Sequence, residues 1–173
     1  MSVTLIHSIL SVYKVELGES YARYSNHACR IYNFAVLLSD ANQEEQKQLA
    51  IASAFHDIGI WTANTLDYLE PSVRLAKEYL QRNGLSEWNK SVEEIITQHH
   101  KLSAFKPNRL AECFRKADLI DLSFGLFRFG IDGRKIAEAN QQYPWFGFHR
   151  FIAKEILKNA VRHPLNPLPI VKW

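Results

Sequence analysis

Cysteine is scarce in this chain: Cys29 and Cys113 are the only two among 173 residues. So few exclude a disulfide framework, and the sequence reads as that of a reduced, cytoplasmic protein whose thiols serve as small buried hydrophobes. Long apolar runs are also missing. No stretch approaches the ~20 residues needed to cross a bilayer. The opening MSVTLIHSILSVYKVELG lacks the basic first segment, unbroken apolar core and small-residue cleavage site of a secretory signal. Neither sign of charge dominates, and a net charge of +3 is too small to propose a nucleic-acid surface, although it would not repel a phosphorylated metabolite. Period-two alternation bounded by turn pairs is absent, so an antiparallel sheet has no support. With no internal repeat, low-complexity segment or linker, residues 1–173 are expected to form a single domain, long enough to bury a substantial core.

What remains is helical. Hydrophobic residues make up 47% and charged residues 23%, the balance of a folded globular chain. Val3, Ile6, Leu10, Tyr13 and Leu17 fall at helical spacing, and SDANQEE supplies N-cap residues followed by acids suited to a first turn. The spacing predicts an all-α bundle of about eight helices, near 2–17, 20–38, 43–57, 71–83, 87–102, 109–122, 132–140 and 147–161. The prolines of RHPLNPLPIVKW rule out a helix there and predict an extended strap over the surface.

Several helices put ionisable residues on the side they bury. His27 lies beside Ala28 and one turn before Ile31, and His56 follows Leu49, Ala52 and Ser53 on the inward side of its helix. Asp57 comes next, with Gly59 as the expected left-handed cap. A carboxylate in a last turn meets the negative end of the helix dipole, so a positive partner is expected nearby. Asp118 is one turn beyond Phe114 on an apolar face, and must be neutral, paired or bound to a cation. His99 and His100 stand at the edge of the stripe formed by Val92 and Ile96. One inward histidine is ordinarily a hydrogen-bonded core residue. Four helices that each deliver imidazole or carboxylate to the interior point instead to a divalent metal with open coordination positions.

The order His27, His56-Asp57, Asp118, with FHDIG closing one helix and KADLID inside another, resembles the HD superfamily of metal-dependent phosphohydrolases. The resemblance covers roughly residues 20 to 125, the expected HD core, on which the N-terminal helix, C-terminal helices and tail would pack. It implies an all-helical fold and one divalent ion (manganese, iron, cobalt, nickel, zinc or magnesium) held by His27, His56, Asp57 and Asp118. It implies a metal-dependent hydrolase, in first place a phosphohydrolase that turns metal-activated water on a small phosphorylated metabolite or nucleotide. NHACRIYNFAVLL followed by FHDIG also looks like the cyanamide-hydratase branch, where a nitrile is attacked instead, and diiron oxygenases and degenerate ligand-binding HD modules are further alternatives.

Binuclear relatives use additional histidines. ITQHHKL supplies a later pair, but no histidine lies between Asp57 and His99, where Glu70, Pro71 and Ser72 stand instead, so one ion is favoured over two. His99 or His100 is then expected to contact substrate, water or a loosely held second ion. The glutamate that bacterial 5′-nucleotidases of the superfamily carry after the His-Asp pair is missing, because Ile58, Gly59, Ile60 and Trp61 follow, and the general base is left among Asp57, Asp67, Glu70 and His99. The Gly-Tyr-Pro extension of cyclic-dinucleotide phosphodiesterases is absent. Arg30, one turn after His27, Lys101, after the histidine pair, and Glu70 are the candidate substrate contacts, although Arg30 and Lys101 read more readily as solvated surface charges. Asp121, one turn past Asp118, reads equally as a carboxylate that orients a ligand histidine from behind and as an N-cap or surface ion pair. The aromatic cluster QYPWFGFHRF reads as core or as a pocket wall. The expected partner is a small molecule, with no nucleic-acid polymer and no membrane; a homodimer is left open.

Overall fold

A computed structural model describes residues 2–166 and 169–171. Its helices are α1 (Ser2–Ser11), α2 (Lys14–Leu17), α3 (Tyr21–Ser39), α4 (Gln43–Phe55), α5 (Gly59–Thr62), α6 (Leu69–Arg82), α7 (Asn89–Gln98), α8 (Arg109–Leu122), α9 (Gly133–Gln142) and α10 (Phe148–Arg162). Eight of these have ten residues or more, and no β-strand occurs among the described residues. None of the described helices is long and apolar enough to cross a membrane.

The strongest local signals set the helix starts. Asn42 and Glu45 form a reciprocal capping box at α4. Asn108 accepts from the backbone N–H groups of Leu110 and Ala111 at α8, and Asp132 accepts from Arg134 N–H at α9. The first expected helix is interrupted. Tight turns at Val12 and Tyr13 swing the Tyr13 ring edge-on against Phe55, with centroids 6.0 Å apart.

α3 is the central helix and packs most extensively against α8, while α4 packs against α1, α3 and α7. A continuous core runs through the bundle, with Tyr24, Phe34, Phe55, Phe114 and Phe148 among its fully buried side chains. A smaller apolar cluster joins Ile60, Leu66, Tyr68, Leu69 and Ile170, so the described part of the tail does lie over the bundle. Pro167, Leu168, Lys172 and Trp173, also within the expected strap, fall outside the described residues.

Gly59 is not a left-handed cap: positive φ occurs at Gly18, Gly84, Gly125, Gly130 and Gly147 but not here. The glycine is required by a close approach. A Cβ at this position would meet the Tyr68 carbonyl oxygen at 2.6 Å and Ser72 Oγ at 3.0 Å. Its N–H donates to Ser72 Oγ, which docks the start of α6 directly behind the His56-Asp57 turn.

Candidate metal centre

The inward histidines and aspartates converge. His27 comes from the middle of α3, His56 and Asp57 from the turn between α4 and α5, His99 and His100 from the turn that ends α7, and Asp118 from α8. All are buried except His100, whose side chain is 17% exposed and marks the side open to solvent. Donor atoms of His27, His56 and Asp118 lie within 4.8 Å of one another, as do those of His56, Asp57 and His99, and those of His99, His100 and Asp118.

Hydrogen bonds behind the rings decide which atoms face inward. His27 Nδ1–H donates to Asp121 Oδ2 (2.7 Å), His56 Nδ1–H to the Ser53 carbonyl (2.9 Å) and His99 Nδ1–H to the Ile96 carbonyl (2.6 Å). Each bond assigns the ring proton to Nδ1 and leaves the Nε2 lone pair directed inward. His27 Nε2 and His56 Nε2 are 3.2 Å apart, and they lie 3.5 and 3.3 Å from Asp57 Oδ2. His99 Nε2 is 3.4 Å from Asp57 Oδ1, and both of these atoms are buried without a hydrogen-bond partner. With these rings neutral, the centre is a set of acceptors that face one another with no donor between them among the described residues, an arrangement that requires added positive charge, a proton or a metal ion.

A cation resolves this. Two donors each ~2.1 Å from one ion, at angles of ~90–109°, stand ~3.0–3.4 Å apart, which is the spacing observed around His27, His56 and Asp57. The donor set, imidazole nitrogen with carboxylate oxygen, suits a divalent ion of intermediate softness. The residues present fit a divalent metal.

The remaining groups continue the pattern. Asp118 Oδ1 lies 3.8 Å from His27 Nε2, while its Oδ2 faces His100 Nδ1 at 3.7 Å. Asp57 likewise turns Oδ2 to His27 and His56 and Oδ1 to His99. His100 is held through its other nitrogen, 2.7 Å from the Tyr68 hydroxyl.

Burial disfavours charge on His27, yet its hydrogen bonds to Asp121 and Asp57 prevail and raise its pKa to about 9 without metal. Burial also opposes ionisation of Asp57, but the surrounding imidazoles hold its carboxyl well below the ordinary range. Asp118 is pushed up by burial, and His100 is kept well below the usual histidine range by burial and the neighbouring charge of His99. A raised histidine contributes stability that is complete below its unfolded value and lost as pH rises through the folded one. The metal-free protein is therefore expected to lose on the order of 3 kcal/mol between pH 6.5 and 9. Thermal melts in chelator check this; a melting temperature that stays flat across the window contradicts the proton on His27.

The other expected site residues are distributed differently. Asp121 is behind His27 as expected. Arg30 is not available to a substrate: it is fully buried, with Nε and Nη2 on the Asp121 carboxylate (2.5 and 2.9 Å) and Nη1 on the Tyr143 carbonyl (2.6 Å). Burial alone opposes charge on Asp121, but Arg30 and His27 hold its carboxyl well below the ordinary range. Glu70 is exposed and lines an open groove with Pro71, Arg74 and Lys77, away from the donor cluster. The reason is its helical phase, since α6 buries Leu69, Ser72, Val73, Ala76 and Leu80. Lys101 is half-buried beside His100. Asp67 is exposed.

Tyr68 and His149 carry no signal for the centre in the sequence, and Phe148 belongs to the aromatic cluster that reads there as core or pocket wall. Tyr68, in the loop before α6, carries no periodicity signal; burial followed by the Asp57 charge raises its hydroxyl well above the ordinary phenol range. Phe148 stacks on His27 with centroids 3.8 Å apart, which makes part of the aromatic cluster the rear wall of the site. His149 Nε2–H donates to the Asp121 carbonyl (2.9 Å) and the ring stacks on Phe124 (4.0 Å), so it supports the same corner. Cys29 and Cys113 are free and buried.

No curated protein and no solved structure matches the chain. The HD domain family model matches residues 24–123, a span that begins one turn before His27, ends just past Asp121 and encloses the whole donor cluster. HD domains bind divalent metals, and the buried histidines and aspartates described above could hold one. With more than half of its length matched by that model, this chain belongs to the HD-domain family.

Proposed function

We propose that the protein is a metal-dependent hydrolase, in first place a phosphohydrolase acting on a small phosphorylated compound. The observation that carries this is the buried, acceptor-only cluster with a single partly exposed member, His100. His27, His56, Asp57 and Asp118 would hold one divalent ion. When bound, such an ion lowers the pKa of a coordinated water toward neutrality and polarises the oxygen of the bond to be broken. Asp121 fixes the His27 ring, and the carbonyls of Ser53 and Ile96 fix His56 and His99. Substrate approaches from the His100 side, past Tyr68. His99 Nε2, bare and 3.4 Å from Asp57 Oδ1, is the atom placed to take a proton from the attacking water, the role for which the chain has no glutamate after its His-Asp pair.

The split of both carboxylates favours a second reading. Because Asp57 and Asp118 each turn one oxygen to the His27 side and the other to the histidine pair, these carboxylates with His27, His56, His99 and His100 would supply enough donors to hold two ions. His99→Ala separates the two. With one ion, the variant keeps about one equivalent of metal and loses ~10²–10⁴ of its rate, the usual worth of a general base. A wild-type ratio of two that falls to one in the variant establishes the second reading.

Metal analysis of the purified protein, followed by phosphomonoester and phosphodiester panels with and without chelator, tests the function. Phosphate release that chelator abolishes is expected. Metal-replete protein that leaves every phosphoester intact overturns the phosphohydrolase, and nitrile turnover alongside that silence assigns a hydro-lyase.

A further inference from the structure

Two arginines on α3 have opposite surroundings. Arg30 is fully satisfied by Asp121 and the Tyr143 carbonyl. Arg23, one helical turn before His27 on the same face, has its Nε buried with no hydrogen-bond partner and forms no ion pair among the described residues. Its guanidinium carbon sits 5.5 Å from the centroid of the Phe151 ring. That ring stacks on Trp61 (5.4 Å, 9°), whose Nε1 is likewise buried without an acceptor. Trp61 stands one turn past Asp57 and packs on Tyr24, whose hydroxyl receives the Asp57 N–H.

These positions are tied to the metal centre by two facing rungs of α3 and α10. Phe148 stacks on His27 at the centre itself, and Phe151, the next turn of α10, meets Arg23, the preceding turn of α3. Residues four apart on a helix are neighbours on its surface, so Arg23 leaves α3 beside His27, and Trp61 follows Asp57 by one turn. Arg23 as a whole is only partly buried, but an N–H buried without an acceptor is costly, and the pairing of Arg30 shows that this fold can provide a carboxylate where one is needed. What is missing at Arg23 and Trp61 is an acceptor with negative charge.

We infer that Arg23, assisted by Trp61 Nε1–H, is the anion anchor of the substrate site and takes a phosphoryl group. The guanidinium fork matches phosphate oxygens in a two-point contact, which an ammonium cannot reproduce. Arg23 thus fills the role of substrate cation that Arg30, spent on Asp121, does not serve. The inference rests on the phosphohydrolase reading.

The experiment uses metal-loaded protein, with inorganic phosphate and acetate as calorimetric probes, and Arg23→Ala, Arg23→Lys and Lys77→Ala as variants. Arg23→Ala is expected to keep its full metal content and to bind phosphate ~10- to 100-fold more weakly, the worth of a charged hydrogen-bonded contact. Arg23→Lys recovers part of that loss, and Lys77→Ala, on the outer groove, binds as wild type. Phosphate affinity unchanged in Arg23→Ala, or metal lost from both Arg23 variants, overturns the anchor. Acetate binding as tightly as phosphate with the same dependence on Arg23 overturns the phosphoryl assignment. Arg23-dependent phosphate binding in a protein that hydrolyses no phosphoester refutes the phosphohydrolase and leaves the anchor standing; wild-type protein that binds metal but no phosphate refutes both.

Discussion

Asp57→Ala is expected to empty the metal centre and silence the protein in one step. Its carboxylate touches three imidazoles, with Oδ2 3.5 Å from His27 Nε2 and 3.3 Å from His56 Nε2, and Oδ1 3.4 Å from His99 Nε2. Among the described residues, Asp118 is the other side chain that offers oxygen to both sides of the cluster, 3.8 Å from His27 Nε2 and 3.7 Å from His100 Nδ1. Metal at 100 times its dissociation constant stabilises a protein by about 2.7 kcal/mol. In a chain of this size that raises the melting temperature by about 5–10 °C. The wild type should show this rise and Asp57→Ala should not, with activity down by ~10³-fold or more as water returns to its ordinary acidity. Metal content, the metal-dependent melt and turnover are measured on the same preparation. A variant that retains metal and rate removes Asp57 from the site.

How far the site could be read from sequence followed the range of the interactions involved. His27, His56, Asp57 and Asp118 were legible because each sits at a phase that its own helix buries, and Asp121 because it is three residues past Asp118 on that stripe. Helical phase says nothing about what stands opposite. Arg30 shares the inward face with His27, so it read as a cation aimed at substrate, and only the folded structure brings Asp121 across to it from 91 residues away. Tyr68 reaches His100 from an irregular loop, where neither the 3.6 nor the 2.0 period applies. Glu70 was chosen by its order in the family pattern against its own phase, since α6 turns it to solvent. A glycine after a run of helix formers is usually a helix stop, whereas at Gly59 the missing Cβ admits the Tyr68 backbone.

Arg30→Met should produce the largest loss of stability of any single substitution near the centre. It removes the guanidinium that satisfies both oxygens of a fully buried carboxylate and leaves Asp121 charged, with only His27 Nδ1–H beside it. Breaking a buried pair from one side costs about 3–5 kcal/mol, which lowers the melting temperature by roughly 10 °C. The pH dependence gives the sign. A carboxyl held below its ordinary range contributes stability that is present above its unfolded value, near pH 4, and lost as pH falls through the folded one. Without Arg30 that depression shrinks, so acid unfolding moves to higher pH. Replacing both partners, as Arg30→Met with Asp121→Leu, should recover much of the thermal stability, because well-packed apolar side chains substitute for a buried pair at little cost. It should not recover the metal. His27 Nδ1–H then has no acceptor to fix the ring and its Nε2 lone pair, so affinity stays ~10- to 100-fold weak, the usual penalty for losing a partner behind a metal ligand. Melting temperature restored together with metal affinity would show that Asp121 serves the fold alone; stability restored with affinity still lost assigns it to the centre.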